Sequence, residues 1–132
     1  MSFHYETARR DFIQIQTDIP IRYKFLSKTV DVEAETIFEG TTSSVSGHGI
    51  LLIGKIADVR WLPALLTNEI VIGLNLLLPA ADQPIKALAN ISWMESFEPG
   101  SDRIPMGLKF AEISKEHQDE LLRFVIKTQI TH

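Results

Sequence analysis

The chain has no cysteine among its 132 residues. Disulfides, thiolate nucleophiles and cysteine-ligated zinc or iron–sulfur centres are therefore excluded. It also lacks any apolar run close to the ~20 residues that a membrane-crossing helix needs. The longest, residues 70–79, is interrupted by Gly73 and Asn75. The first ten residues are polar and have no apolar signal-peptide core, so a cytoplasmic location is expected. Positive charge is not in surplus: 13 Lys and Arg face 17 Asp and Glu, a net charge of −4. That balance argues against the broad basic face that general nucleic-acid binding requires. A small anionic ligand stays open, because two local cations suffice to meet two phosphates. The four histidines (His4, His48, His117 and His132) show no metal-ligand spacing. Repeats, low-complexity tracts and a domain-splitting linker are missing too.

What is present reads as one soluble domain, 45% hydrophobic and 23% charged. Residues 1–16 carry no clear period and are expected to form a loose arm. From Ile19, the residues Ile19, Ile21, Tyr23 and Phe25 alternate with Arg22 and Lys24, the period of a half-buried strand. The threonine-rich stretch 35–43 predicts a second strand and 50–53 a third. Residues 70–78 predict a central strand that is apolar on both faces. In 85–94, Ile85, Ala87, Ala89, Ile91 and Trp93 fall on one predicted face, which makes Trp93 a core residue. Met106, Leu108 and Phe110 mark the last strand. Only the end is predicted helical: Ser114 is a good N-cap, Glu116 suits the positive helix end, and Leu121, Leu122 and Val125 form an apolar stripe. Short strands followed by one terminal helix predict a small antiparallel barrel with the helix against it.

Two places carry candidate chemistry. Ser44-Val45-Ser46-Gly47-His48-Gly49 is a polar turn of small hydroxyls and glycines, suited to a phosphate or a purine edge. Upstream lies the cation pair Arg9-Arg10, with Phe12 after it. Three weaker signals are set aside. Gly49 to Lys55 meets the opening positions of a phosphate-binding loop, but Ile56 replaces the required Ser or Thr and the middle is an apolar strand. Ser46, His48 and Asp58 suggest a hydrolytic set only if ordinary turn chemistry is ignored. Trp61 with Leu62, Leu65 and Leu66 is either a packed loop closing one end of the barrel or an apolar patch for a protein partner.

The order and spacing of these segments resemble the PilZ family of cyclic di-GMP receptor domains. Arg9-Arg10-Asp11-Phe12 followed by Asp18 to Tyr23 looks like the family's opening. Residues 85–93 and 107–110 resemble its fifth and last strands, and 119–124 its closing helix. The resemblance spans nearly the whole chain. It implies a mainly β fold: a six-stranded antiparallel PilZ-type β-barrel over residues 18–132 with a C-terminal α-helix, preceded by an arm (1–17) carrying the arginine motif. It also implies a bacterial, non-enzymatic sensor or adaptor without a cofactor, whose ligand is cyclic di-GMP and which relays the signal to an unidentified protein partner. The implied ligand contacts are Arg9, Arg10, Gln14, Ser44, Ser46 and Gly49. Gln14 stands where the family's second arginine is expected, and Ser44 where Asp or Asn is usual. The alternative implied by those two departures is a PilZ domain that binds no nucleotide and serves as a protein-interaction module.

Overall fold

The computed structural model describes residues 18–79 and 81–131. Arg9, Arg10 and Gln14 lie outside the described residues. Six strands, β1 (Ile19–Ser27), β2 (Phe38–Val45), β3 (Gly49–Gly54), β4 (Ile70–Leu76), β5 (Ile85–Met94) and β6 (Ile104–Ile113), close into an antiparallel barrel in the order β1-β2-β3-β6-β5-β4. A 3-10 turn (Val59–Trp61) and the short helix α1 (Leu62–Leu66) cross from β3 to β4. Helix α2 (Lys115–Thr131) ends the chain. Among the described residues, no helix is long and apolar enough to cross a membrane.

The alternating pattern is cashed in as a filled interior. Ile19, Ile21, Tyr23 and Phe25 of β1, Ile50 and Leu52 of β3, Ile72 and Leu76 of β4 and Met106 and Leu108 of β6 are all at most 1% exposed. Leu121 and Val125 of α2 join the same cluster from outside the sheet. Ser114 caps α2 as expected, its Oγ accepting the His117 N–H at 3.1 Å. At the opposite station of the chain, Trp61 packs edge-on against Phe25 with ring centroids 5.2 Å apart, and Leu65 is fully buried. The Trp61 region is thus a packed closure of the barrel. Leu65 belongs to that core and is not available to a partner, whereas Leu66 is 56% exposed. Asn68 at φ 65° ends α1 in the left-handed conformation that asparagine tolerates, turning the chain into β4.

Two sequence expectations shift. The second strand starts at Phe38 and not at residue 35, because Glu33 takes φ 50° and its carbonyl accepts the Thr36 N–H at 2.9 Å, making a turn of the preceding residues. Trp93 is not core. The pairing of β5 with β6 runs Ile91↔Leu108 and then Trp93↔Gly107, so Ser92 is an extra residue. One inserted residue reverses the alternation, leaving Met94 to pack on the core while Trp93 turns to the outer wall.

Tyr23 locks the wall to the core. Its buried hydroxyl donates to the Lys55 carbonyl at 2.7 Å and accepts the Lys55 N–H. Gly54 leaves it room: a Cβ there would sit 2.5 Å from the hydroxyl. Burial pushes the phenol above its ordinary value of 10.0, the bond to Lys55 only partly opposing this. The folded chain therefore holds the proton at a pH where the unfolded chain has lost it, and this stabilisation is complete below pH 10 and lost as pH rises through the folded value. Tyr23→Phe is expected to cost about 1–3 kcal/mol at neutral pH by denaturant unfolding, and to remove this part of the alkaline loss of stability. Gly54→Ala, which collides with the hydroxyl, should also be destabilising.

Candidate functional site

The polar turn between β2 and β3 is built by its own serine. Ser46 Oγ accepts the N–H groups of His48 (3.1 Å) and Gly49 (3.3 Å) and lies 3.4 Å from the Gly49 carbonyl as donor. The Ser46 N–H donates to that same carbonyl at 3.0 Å. A residue with a short hydroxyl is what such a side-chain-closed turn needs. Ser46 is 2% exposed, so its predicted role as a direct ligand contact is secondary to shaping the loop. The Ser46 hydroxyl meets the His48 backbone, and the Asp58 carboxylate is held by Arg60 at 2.7–3.1 Å. The bond to Arg60 lowers the Asp58 pKa, and these groups form no hydrolytic set.

The turn is tied down from two sides. Phe110 of β6 donates its N–H to the His48 carbonyl at 2.9 Å, and Gln118 of α2 donates Nε2 to the Gly47 carbonyl at 3.0 Å. Gly47 is pressed against Leu122 of α2, whose Cδ2 would lie 2.6 Å from an added Cβ. His48 itself is exposed.

Ser44 reaches the outer wall through a second irregularity. The register of β2 with β3 passes from Thr42↔Leu52 directly to Ser44↔Leu51, so Ser43 is the extra residue. Thr42, fully buried, clamps this bulge: its Oγ1 donates to the Ser44 carbonyl at 2.8 Å and accepts the Ser44 N–H at 3.2 Å. Leu52 points into the core, and Ser44 is displaced to the side of Leu51.

The two bulges act on the same level of the barrel. Strand pairing runs Ser44↔Leu51, Leu51↔Gly107 and Gly107↔Trp93, one outward row across β2, β3, β6 and β5. Three strand spacings of about 4.8 Å separate them along the curved wall, and since β2 and β5 lie opposite each other in the closed ring, Ser44 and Trp93 border the β3–β6 face from its two sides. The Trp93 indole lies over Gly107, where a Cβ would collide with Nε1, Cε2 and Cδ1 of the ring. A second outward row, Gly49↔Lys109 and Lys109↔Asn90, runs beside it. Ser44, Ser46 and Gly49 are thereby brought together, with Trp93, Gly107, Lys109 and Asn90 added to them. Alternation already places Asn90, Gly107 and Lys109 outward without singling them out, and Trp93 alone is put on the wrong face, because it lies beyond the inserted Ser92. Gly107 facing a tryptophan was the one available signal. Next to this wall, an open groove of about 680 Å³ runs past Gly47, His48, Leu88, Phe110 and Gln118 to the start of α2.

Thr42→Val keeps the shape of the side chain but leaves the Ser44 N–H and carbonyl without their partner. It is expected to destabilise the fold by about 1–3 kcal/mol, and amide exchange should speed up at Ser44 before it does in β1. Gly107→Val should displace the indole, read as a shift in Trp93 emission against a Trp61→Phe background.

A family model for the PilZ domain matches residues 9–127 of the chain. No curated protein matches it significantly. Among solved structures, the Bacillus subtilis inhibitor of motility MotI/DgrA is similar with a TM-score of 0.62 at 17% identity, over 93% of this chain and 52% of that one. The PilZ domain of CeSA from a cellulose-synthesizing bacterium is similar with a TM-score of 0.54 at 14% identity, over 90% and 98% of the two chains. This chain spans about half the length of the MotI/DgrA chain and nearly all of the CeSA domain. At such identities the structural likeness speaks for the barrel and its helix, and the sequence model speaks for kinship. The chain belongs to the PilZ domain family, whose members are cyclic di-GMP receptors and adaptors.

Proposed function

We propose that this protein is a cyclic di-GMP-responsive adaptor, with the dinucleotide received on the outer wall of β2, β3, β6 and β5. The observation that carries the reading is the convergence of two bulges on one outward row. One puts Ser44 beside the Ser46–Gly49 turn on the β2 side of the β3–β6 pair, and the other turns an indole outward on the β5 side, over Gly107. Purine rings stack on such aromatic surfaces with about 1–3 kcal/mol per base. Arg9 and Arg10 precede this wall in sequence and supply the charge for two phosphates, a guanidinium being able to stack on a base and to grip its O6/N7 edge or a phosphate. Gln14 contributes hydrogen bonds but no charge. Ser44 offers a shorter hydrogen-bonding group than the usual acid or amide.

The consequence of these two replacements is affinity, not fold. A bidentate arginine–guanine contact is worth about 1–3 kcal/mol, and ~1.4 kcal/mol is tenfold in binding. The adaptor output is passed to a protein partner. The exposed residues of the closure, Val59 at 41% and Leu66 at 56%, are candidates for that contact. Of the two similar proteins, one is an inhibitor of motility and the other comes from a cellulose-synthesizing bacterium, and an output of either kind fits an adaptor domain. Gln14 and Ser44 favour a second reading, in which the domain binds no nucleotide and acts through the same exposed apolar residues alone.

Calorimetric titration with cyclic di-GMP at physiological salt, with GTP as control, separates the two readings. Saturable binding near or below ~10 micromolar is expected, with Trp93 emission changing in step. Arg10→Ala should abolish the heat while leaving the melting temperature nearly unchanged. Gln14→Arg should tighten binding about tenfold by restoring one charged contact. Neither heat nor thermal shift at hundreds of micromolar would establish the interaction-module reading instead.

A further inference from the structure

Ile37 is the most exposed large apolar side chain among the described residues, at 63%. It directly precedes β2 and stands between two open hollows, lining both. One of them, about 320 Å³, opens on the outer faces of β1, β4 and β5. Gly73 leaves its middle bare: a Cβ there would make only ordinary contacts, with Leu26 Cδ1 at 3.4 Å and the Lys24 stem at 3.5 Å. Strand pairing sets Arg22, Asn75 and Lys86 in one outward row, and Lys24, Gly73 and Leu88 in the next. The hollow thus has a floor of Leu26, Gly73 and Leu88, rimmed by three exposed cations, Arg22, Lys24 and Lys86. A projecting aliphatic side chain beside such a hollow is self-complementary. A two-fold axis between the two seats each in the other copy.

The charges agree with that pairing. No acid lines this hollow, although the chain carries a net charge of −4. Acids are gathered instead on the segment that carries Ile37, where Asp31, Glu33 and Glu35 are all exposed. A turn closed by the Thr36 N–H on the Glu33 carbonyl, at 2.9 Å, fixes that segment just before Ile37. Among the described residues, Lys24, Lys86, Asp31, Glu33 and Glu35 take part in no ion pair, and Arg22 reaches Glu39 only at 3.9 Å. In a single copy this face is wetted as any charged surface is, with its two signs kept apart. In a pair, the acids that travel with each Ile37 arrive at the cationic rim of the other copy. A phosphate-rich membrane or nucleic acid would meet the carboxylates as well as the cations, whereas a second copy offers both signs in place.

We propose that the partner fitting this face is a second copy of the chain. In this isologous dimer, Ile37 of each copy seats over Gly73 of the other, and Glu33 and Glu35 meet the rim of Arg22, Lys24 and Lys86. The inference does not depend on the cyclic di-GMP reading. β1 and β4 lie across the ring from β3 and β6, so the pairing leaves the β3–β6 wall of both copies open.

The test is sedimentation of the full chain from about 1 to about 500 micromolar, where a monomer–dimer equilibrium is expected. Lys24→Glu with Lys86→Glu, and separately Glu33→Lys with Glu35→Lys, should each weaken it about tenfold or more. Each reversal moves the charge by two units, taking −4 to −8 in the first variant and to 0 in the second. If net repulsion governed association, the second variant would pair more tightly than wild type; this interface requires that it pair less tightly. An equimolar mixture of the two variants should recover the dimer, because every contact then joins opposite charges. Ile37→Ser should weaken pairing about tenfold. A wild type that stays monomeric throughout, or oligomers that grow past the dimer, would overturn the inference. So would a mixture that stays monomeric when both variants melt as wild type does.

Discussion

A closed six-stranded barrel has no free edge and, when as small as this one, no empty interior. Tyr23, Phe25 and the aliphatic residues of β1, β3, β4 and β6 fill it. Recognition is therefore confined to the outer wall and the barrel's ends, and on a wall the pleat dictates which residues a ligand meets. Strict alternation would send Ser44 inward with Thr42, and Trp93 inward with Ile91. The extra residues Ser43 and Ser92 break that rule on β2 and β5, on the two sides of the β3–β6 pair. Much of the wall's chemistry follows from those two insertions.

The same constraint explains the small residues around them. Once Trp93 is outside, its ring has to lie on β6, and only a glycine at 107 gives it room. Once Ser43 is inserted, the ladder at Ser44 loses its regular partners, and the buried Thr42 hydroxyl stands in for them. The turn that follows is held by Ser46 from within, by Phe110 from β6 and by Gln118 and Leu122 from α2. A ligand pressing on this turn thus presses on the strand pair and on the helix together. Few of these contacts are strong singly, at about 0.5–1.5 kcal/mol net for an ordinary hydrogen bond, but they share one loop.

The sequence was readable where period and composition were undisturbed. β1, the apolar strand of β4, and the Ser114 cap of α2 stand where alternation and capping chemistry put them. The candidate turn was legible because serine and glycine advertise turn geometry. A bulge advertises nothing of the kind. Ser43 and Ser92 are ordinary strand-tolerant residues, and a period-2 reading that counts them shifts every later side chain to the wrong face. That is why Trp93 was assigned to the core, whereas Asn90, which precedes Ser92, and Lys109, between Leu108 and Phe110, already fell on the outward face by alternation. The second strand began late because a non-glycine residue, Glu33, adopts positive φ, which composition does not forecast.

The two opposite walls of the barrel argue that this arrangement is not a by-product of packing. In the ring of strands, β1 and β4 lie across from β3 and β6. The outward residues of β1 include Arg22 and Lys24, well exposed, with Arg22 reaching Glu39 at 3.9 Å, as a solvated wall ordinarily looks. The β3–β6 side presents Leu51, Ile53, Pro105 and Gly107, flanked by Trp93 and by an amide whose oxygen is dry and unpaired. Selection for stability alone favours pairing that oxygen or replacing it, since either change lowers the free energy of the folded state. The β3–β6 side is therefore the part of the wall whose side chains are not those of a solvated surface, and the turn at its edge, with its N–H groups closed on Ser46, meets it as a preformed rim.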